Sequence, residues 1–213
     1  MLEVKNVLKR YDDLVALDNL SLDIKKGEVF GLLGPNGSGK TTLINCILSL
    51  SKFEKGDIKI FDQPMSADRY DLKAKIGYVP QEIAVFDELS VYDNIDFFCG
   101  LYIQDRATRK QYVEDAIEFV GLNDFRKFVP KKLSGGLKRR LNLACGLAHK
   151  PELLILDEPT AGLDPGGRDE IFELIKDLHA NNDMTVILSS HSMDDMAKLV
   201  NTLMVMNKGR LEI

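Results

Sequence analysis

The chain has 213 residues, 45% of them apolar, a net charge of −5 and a pI of about 5.3. That length suits one large domain, or one domain with an inserted lobe, and gives a core that needs no disulfide or metal staple. The acidic balance argues against a nucleic-acid binder, whose footprint is a basic face or a high pI, and no apolar run approaches the roughly 18 residues of a membrane span.

The start, Met1-Leu2-Glu3-Val4-Lys5, brings in charge at once, so no signal peptide is expected. Leu20, Leu22 and Ile24 alternate with polar residues, as do Ile58 and Ile60, which is the period of a strand. Between them the apolar run Val29–Leu33 leads into Gly34-Pro35-Asn36-Gly37-Ser38-Gly39-Lys40-Thr41-Thr42, followed by a helix expected over residues 40–50. Ile76–Val79 reads as a short strand ending at Pro80. From Ser90 the period becomes helical. Ser90 caps a helix running to about Tyr102, with Asp93 in its first turn. Val113, Ala116, Ile117 and Val120 share one face of a second helix, which Gly121 stops. Ser134 opens a third, whose stripe is Leu137, Leu141, Ala144 and Ala148 and which Pro151 ends. Leu153–Leu156 is an unbroken apolar run, the mark of a strand buried on both faces. Asp164-Pro165 is a cap with a proline at the first helical position, and Ile171, Ile175 and Leu178 make the following helix amphipathic. Thr185–Leu188 is another buried strand, and residues 202–213 form a hairpin turning at Asn207-Lys208-Gly209. The sum is an α/β sheet domain interrupted by a helical block at about residues 85–148. Cys46, Cys99 and Cys145 are far apart and read as reduced thiols in apolar surroundings.

Two segments carry chemistry by their form. The 34–42 run is G-x-x-x-x-G-K-[ST] between a strand and a helix, the form of a loop that wraps nucleotide phosphates. Its glycines let backbone N–H groups turn inward, and the helix adds its positive end. Lys40 then reaches the β- and γ-phosphates and the Thr41 hydroxyl ligates Mg²⁺. Asp157-Glu158 closes a buried strand; Asp157 can hold the Mg²⁺ shell while Glu158 orients or deprotonates a water. Leu133-Ser134-Gly135-Gly136 at a helix start leaves N–H groups exposed at a positive helix end, a second anion site.

The order of these segments, with a lone Gln81 and a lone His191, resembles the nucleotide-binding subunit of ATP-binding cassette (ABC) transporters. The resemblance covers the whole chain and is most specific in Leu133–Leu141 and in Pro151–Pro165. It implies a phosphate-loop ATPase fold: a sheet core with an N-terminal antiparallel β part and an inserted α-helical subdomain. Residues 1–84 and 149–213 would form the nucleotide-binding core, and 85–148 the helical subdomain that bears the signature helix. By resemblance Tyr11 stacks on adenine, Gln81 touches Mg²⁺ and the attacking water and links to the membrane partner, and His191 contacts the γ-phosphate. Asp164 crosses to a second subunit. His149 and His179 match nothing and read as structural. The family works as a head-to-tail pair, with ATP on the phosphate loop of one subunit capped by the Ser134 helix of the other and Glu158 as general base. A transmembrane permease subunit and a second ATPase subunit, here a homodimer formed with ATP, are the implied partners, at the inner face of the cell membrane. Leu137 stands where the family often has Gln, and its place on the apolar stripe implies packing. The Leu-Lys-Arg-Arg continuation resembles exporters with separately encoded membrane subunits, a branch that often carries a further C-terminal segment. The competing readings are an ATP-gated module acting on a cytosolic partner such as the ribosome, and a GTPase. Ribosome-acting members typically carry two cassettes in tandem, and a GTPase would want Asn-Lys-x-Asp, whereas Asn207-Lys208-Gly209-Arg210 lacks the Asp.

Overall fold

The computed structural model describes residues 1–182 and 184–212; Asp183 and Ile213, the end of the expected hairpin, lie outside the described residues. In chain order, β1 (Leu2–Tyr11) and β2 (Leu14–Ile24) precede β3 (Val29–Leu33), which leads through the glycine loop into α1 (Lys40–Ile47). β4 (Lys55–Ile60) and β5 (Gln63–Pro64) follow, then α2 (Tyr70–Lys73) and β6 (Ile76–Val79). Three helices come next: α3 (Val91–Gly100), α4 (Arg106–Phe119) and α5 (Gly135–Leu147). The chain then alternates through β7 (Leu153–Asp157), α6 (Pro165–Asn182), β8 (Thr185–Ser190) and α7 (Met193–Leu199), and closes with β9 (Thr202–Asn207) and β10 (Arg210–Glu212).

Two sheets result. One is antiparallel with strand order β2-β1-β4-β5; the other has the order β10-β9-β3-β8-β7-β6 and is parallel except for β10. The parallel strands read as continuous apolar runs because each face has its own core. On β7, Leu154 and Leu156 pack into the cluster shared with α3–α7, while Leu153 and Ile155 face the cluster that holds α1 and the antiparallel sheet. The first cluster runs without a break from the sheet into the helical block, joining Leu154 and Val79 to Val91, Ile95, Ile117 and Leu141.

Local chemistry sets the element ends. Ser90, Ser134 and Ser192 each accept a hydrogen bond from the backbone N–H three residues on, the bond expected of an N-cap. α1 is shorter than the expected 40–50. Ser49 takes φ 53°, its N–H donates to Cys46 O, and Leu50 N–H donates to Asn45 O, the paired bonds of a Schellman end. The final hairpin turns where expected, with Lys208 and Gly209 at φ 45° and 76°, the two positive values of a type I′ turn.

Candidate active site

In an open parallel sheet, ligands bind beyond the carboxyl ends of the strands. Four neighbouring strands deliver the site here. β3 ends at the glycine loop, β8 at Ser189-Ser190, β7 at Asp157 and β6 at Val79 before Pro80-Gln81. The pairing register sets Leu33 beside Ser190 and Asp157 beside Ser189, so residues far apart in sequence share one rim.

The loop itself needs its glycines. Gly37 and Gly39 take φ 78° and 108°, where side chains are strained, and a Cβ on Gly39 would sit 2.7 Å from Ala16 O. No cap side chain closes α1 above them, so its first N–H groups stay free for a ligand. Lys40 folds back over the loop. Its ammonium donates to Gly34 O at 2.7 Å and Pro35 O at 3.2 Å, and lies 3.3 Å from Glu158 Oε1. Lys40 and Glu158 are each about 5% exposed. That contact is an ion pair without hydrogen-bond geometry, since Glu158 Oε1 has no hydrogen-bond partner among the described residues. The other carboxylate oxygen, Oε2, meets His191 Nδ1 at 2.9 Å. Glu158 holds φ 48°, a left-handed conformation that a glutamate adopts only under constraint.

Asp157 is 1% exposed and fully engaged. The Thr41 hydroxyl donates to Oδ2 at 2.9 Å, and the Ser189 hydroxyl donates to Oδ1 at 2.5 Å. Ser189 Oγ in turn accepts the Glu158 N–H at 2.9 Å. One serine therefore fixes both acids. The Tyr78 hydroxyl is pushed up to about 12, first by burial and then by the Asp157 charge.

A cleft of about 660 Å³ opens over these groups, lined by Tyr11, Asn36, Gly37, Gly39, Lys40, Thr41, Thr42, Gln81 and Glu158. Tyr11 is exposed, with the Lys9 ammonium 4.6 Å over its ring. Sequence reading missed the rest of the lining: Leu14, Val15 and Ala16, and the Lys208-Gly209 turn. That turn is bound to the loop, since Gly209 N–H donates to Ser38 O and Gly209 O accepts from Asp18 N–H. The Ser38 hydroxyl is buried and has no partner among the described residues.

Ser134, Gly135, Gly136 and Asp164 are not brought to this cleft. Ser134 and Gly135 are exposed, Gly136 is half-buried, and a Cβ on either glycine would meet nothing within 4 Å. Asp164 is exposed at the start of α6, its carboxylate lying over Gly166 and Gly167. His149 is buried and bonded to Ile76 O, and His179 contacts Met184 O, both as structural residues. All three cysteines are buried. No described helix is long and apolar enough to cross a membrane.

Oxygen donors suited to a small hard cation meet at Thr41 Oγ1 and Asp157 Oδ2, and Gln81 lines the same cleft as Thr41. Phosphate oxygens fit the free N–H groups above α1.

Comparisons with known proteins bear on the family and the fold. A family model described as ABC transporter matches residues 17–161. The linearmycin resistance ATP-binding protein LnrL of Bacillus subtilis is 39% identical over 211 residues, which is 99% of this chain and 68% of that protein. The energy-coupling factor transporter ATP-binding protein EcfA2 of Clostridioides difficile is 45% identical over 221 residues, 98% of this chain and 76% of that protein. The Nod factor export ATP-binding protein I of Cupriavidus metallidurans is 37% identical over 210 residues, 99% of this chain and 69% of that protein. Among solved structures, the dimeric ATP-binding cassette MJ0796, in a post-hydrolysis state bound to ADP and Pi, superposes with a TM-score of 0.90. It is 28% identical, and the match covers 100% of this chain and 97% of that one. CbiO1 of Clostridium perfringens, part of the transporter complex cbiONQ, gives 0.91 at 32% identity, over 100% of this chain and 86% of that one.

Proposed function

The chain belongs to the ABC transporter family of ATP-binding subunits and is an ATPase; on that premise we propose that two copies enclose Mg-ATP and drive an exporter through a transmembrane permease. The observation that carries the reading is the single network at the strand ends. Lys40, Thr41, Asp157, Glu158, Ser189 and His191 are joined by contacts of 2.5–3.3 Å under a cleft that Tyr11 and Gln81 also line.

Each residue then has a task. The loop N–H groups from Asn36 to Thr42 and the Lys40 ammonium hold the phosphates, the charge-assisted contacts being the strong ones. Moving from Gly34 O and Glu158 to a phosphate exchanges one set of anionic and carbonyl partners of Lys40 for another. Thr41, Asp157 and Gln81 would hold Mg²⁺, which supplies charge neutralisation on the phosphate oxygens. Glu158 is released from Lys40 when the ammonium turns to the phosphates, and accepts the proton of the attacking water. His191 orients Glu158 through Oε2 and faces the γ-phosphate. Tyr11 offers a flat exposed ring to the base. Ser134, Gly135, Gly136 and Asp164 serve the partner subunit's ATP, which accounts for their distance from their own cleft. On this reading residues 85–148 act as a subdomain, the permease docks it at the inner face of the membrane, and the chain sits there on the cytoplasmic side.

Support for an exporter comes from the names of LnrL and the Nod factor export protein, both matched over 99% of this chain. The higher identity to EcfA2 favours a second reading, service to an energy-coupling factor transporter. Purification of the chain from its own membranes, with identification of the companion proteins, separates them. A permease whose loss makes cells accumulate the cargo supports export. An energy-coupling factor companion replaces it with the second reading, and a chain recovered with ribosomes alone sinks both.

A further inference from the structure

Three consecutive cations, Lys138, Arg139 and Arg140, follow the Ser134 cap on α5. Arg140 pairs with Glu170 at the surface. Arg139 is buried, 6% exposed. Its Nη1 donates to Gln81 O at 2.9 Å and reaches Pro80 O at 3.4 Å, and its Nη2 donates to Ala161 O at 3.2 Å. Among the described residues no carboxylate bonds to it, and its Nε has no partner. Burial accordingly pulls its pKa below the ordinary arginine value. A desolvated cation satisfied by neutral carbonyls is a costly way to fill space, and an apolar chain of that length would fill it more cheaply.

What the guanidinium does gain is a bridge. Pro80-Gln81 follows β6, whereas Ala161 lies in the segment from Glu158 to Asp164 between β7 and α6. A planar fork with donors on two nitrogens can hold two loops at once; an ammonium is a point donor. Three residues on, Asn142 is 3% exposed, donates to Pro80 O at 3.2 Å and accepts Ala84 N–H at 3.1 Å. Helix α5 therefore grips the 80–84 loop through two side chains, Arg139 and Asn142, and the 158–164 segment through Arg139 alone.

We propose that Arg139 is a positioning residue that locks the Gln81 loop and the Ala161–Asp164 segment to the helix bearing Ser134. The three candidate contact points Gln81, Asp164 and Ser134 then move as one body, so a ligand met at the Ser134 end shifts Gln81 in the chain's own cleft. The inference rests on the ATPase reading above.

Two variants of the full chain test it, Arg139→Met and Arg139→Lys. Hydrogen exchange should rise by roughly tenfold in peptides covering 80–84 and 158–164 in Arg139→Met, with β7 and β8 unchanged. Arg139→Lys should restore protection to one of the two segments only. Steady-state kcat should fall about tenfold in both variants while KM stays within about twofold, because the bound nucleotide keeps its contacts and the positions around it loosen. Unchanged exchange in both segments, or a normal kcat in a folded variant, overturns the proposal. Should Arg139→Met fail to fold, Arg139→Lys decides alone: protection of both segments overturns the bridge. A wild-type chain that does not hydrolyse ATP sinks the ATPase reading instead, and the exchange data still judge Arg139.

Discussion

Two helices of this molecule begin in nearly the same way and live in opposite surroundings. α1 begins after Ser38-Gly39, and α5 begins with Gly135-Gly136 after Ser134. At α1 the glycine is the cap, at φ 108°, Ser38 is buried, and Lys40 is locked against two carbonyls and a carboxylate. At α5 the serine is the cap, its hydroxyl accepts the Leu137 N–H at 3.3 Å, and the helix end faces outward. Both ends carry the positive pole of a helix. The first lies in the cleft that Glu158 also lines; the second is exposed and lies outside that cleft. Similar local grammar thus opens into a cleft in one place and onto the exposed surface in the other. What the exposed end lacks is what a second copy would bring.

The comparison can be broken first at the carboxylate of the cleft. Glu158→Gln keeps the shape, the N–H bond to Ser189 and the Thr41–Asp157 contact, and removes the base together with its ion pair to Lys40; ATPase turnover should fall by roughly 10²–10⁴. A steady-state rate within a few-fold of wild type would remove Glu158 from the chemistry. Lys40→Ala strips the cation from the cleft. Its affinity for Mg-ATP should fall by about 10- to 100-fold by calorimetry, the size of one charge-assisted bond. Unchanged affinity would mean that the loop around α1 does not hold the nucleotide. Leu137→Gln sharpens the other end. Leu137 is half-buried against the core of the helical block, so its loss should lower stability by about 1 kcal/mol in chemical denaturation with little change in hydrolysis. A large gain in rate would make Leu137 an attenuator of the Ser134 end instead of a packing residue.

Much of this site was legible in the sequence because its signals are local. The glycine spacing, the apolar run ending in Asp157-Glu158 and the serine caps each depend on neighbours within one turn or one strand. What was not legible depends on long-range pairing. The Lys208-Gly209 turn was readable as a turn, yet its place against Ser38 follows from β9 lying beside β3. Ser189 sits inside an apolar strand with no mark of its task; only the register of β8 against β7 sets it between Asp157 and Glu158. Arg139 stands among three consecutive cations, and nothing in the sequence singles it out. The rotation of α5 against two loops, which periodicity gives to about a third of a turn at best, decides which of them is buried. The end of α1 was misjudged for a related reason: Ser49 adopts a left-handed conformation that favours glycine, so the sequence carries no stop signal there.

The central claim is that the exposed Ser134 end completes the cleft of another copy. The most direct test is the mass in solution of Glu158→Gln, with and without saturating Mg-ATP, at raised protein concentration, beside the double variant Glu158→Gln with Ser134→Arg. Slow turnover keeps ATP bound, and bound ATP should act as the bridge. The account predicts a dimer for Glu158→Gln only when Mg-ATP is present, and a monomer for the double variant, which still binds ATP. A single variant that stays monomeric with ATP bound, or a double variant that dimerises equally well, would contradict it.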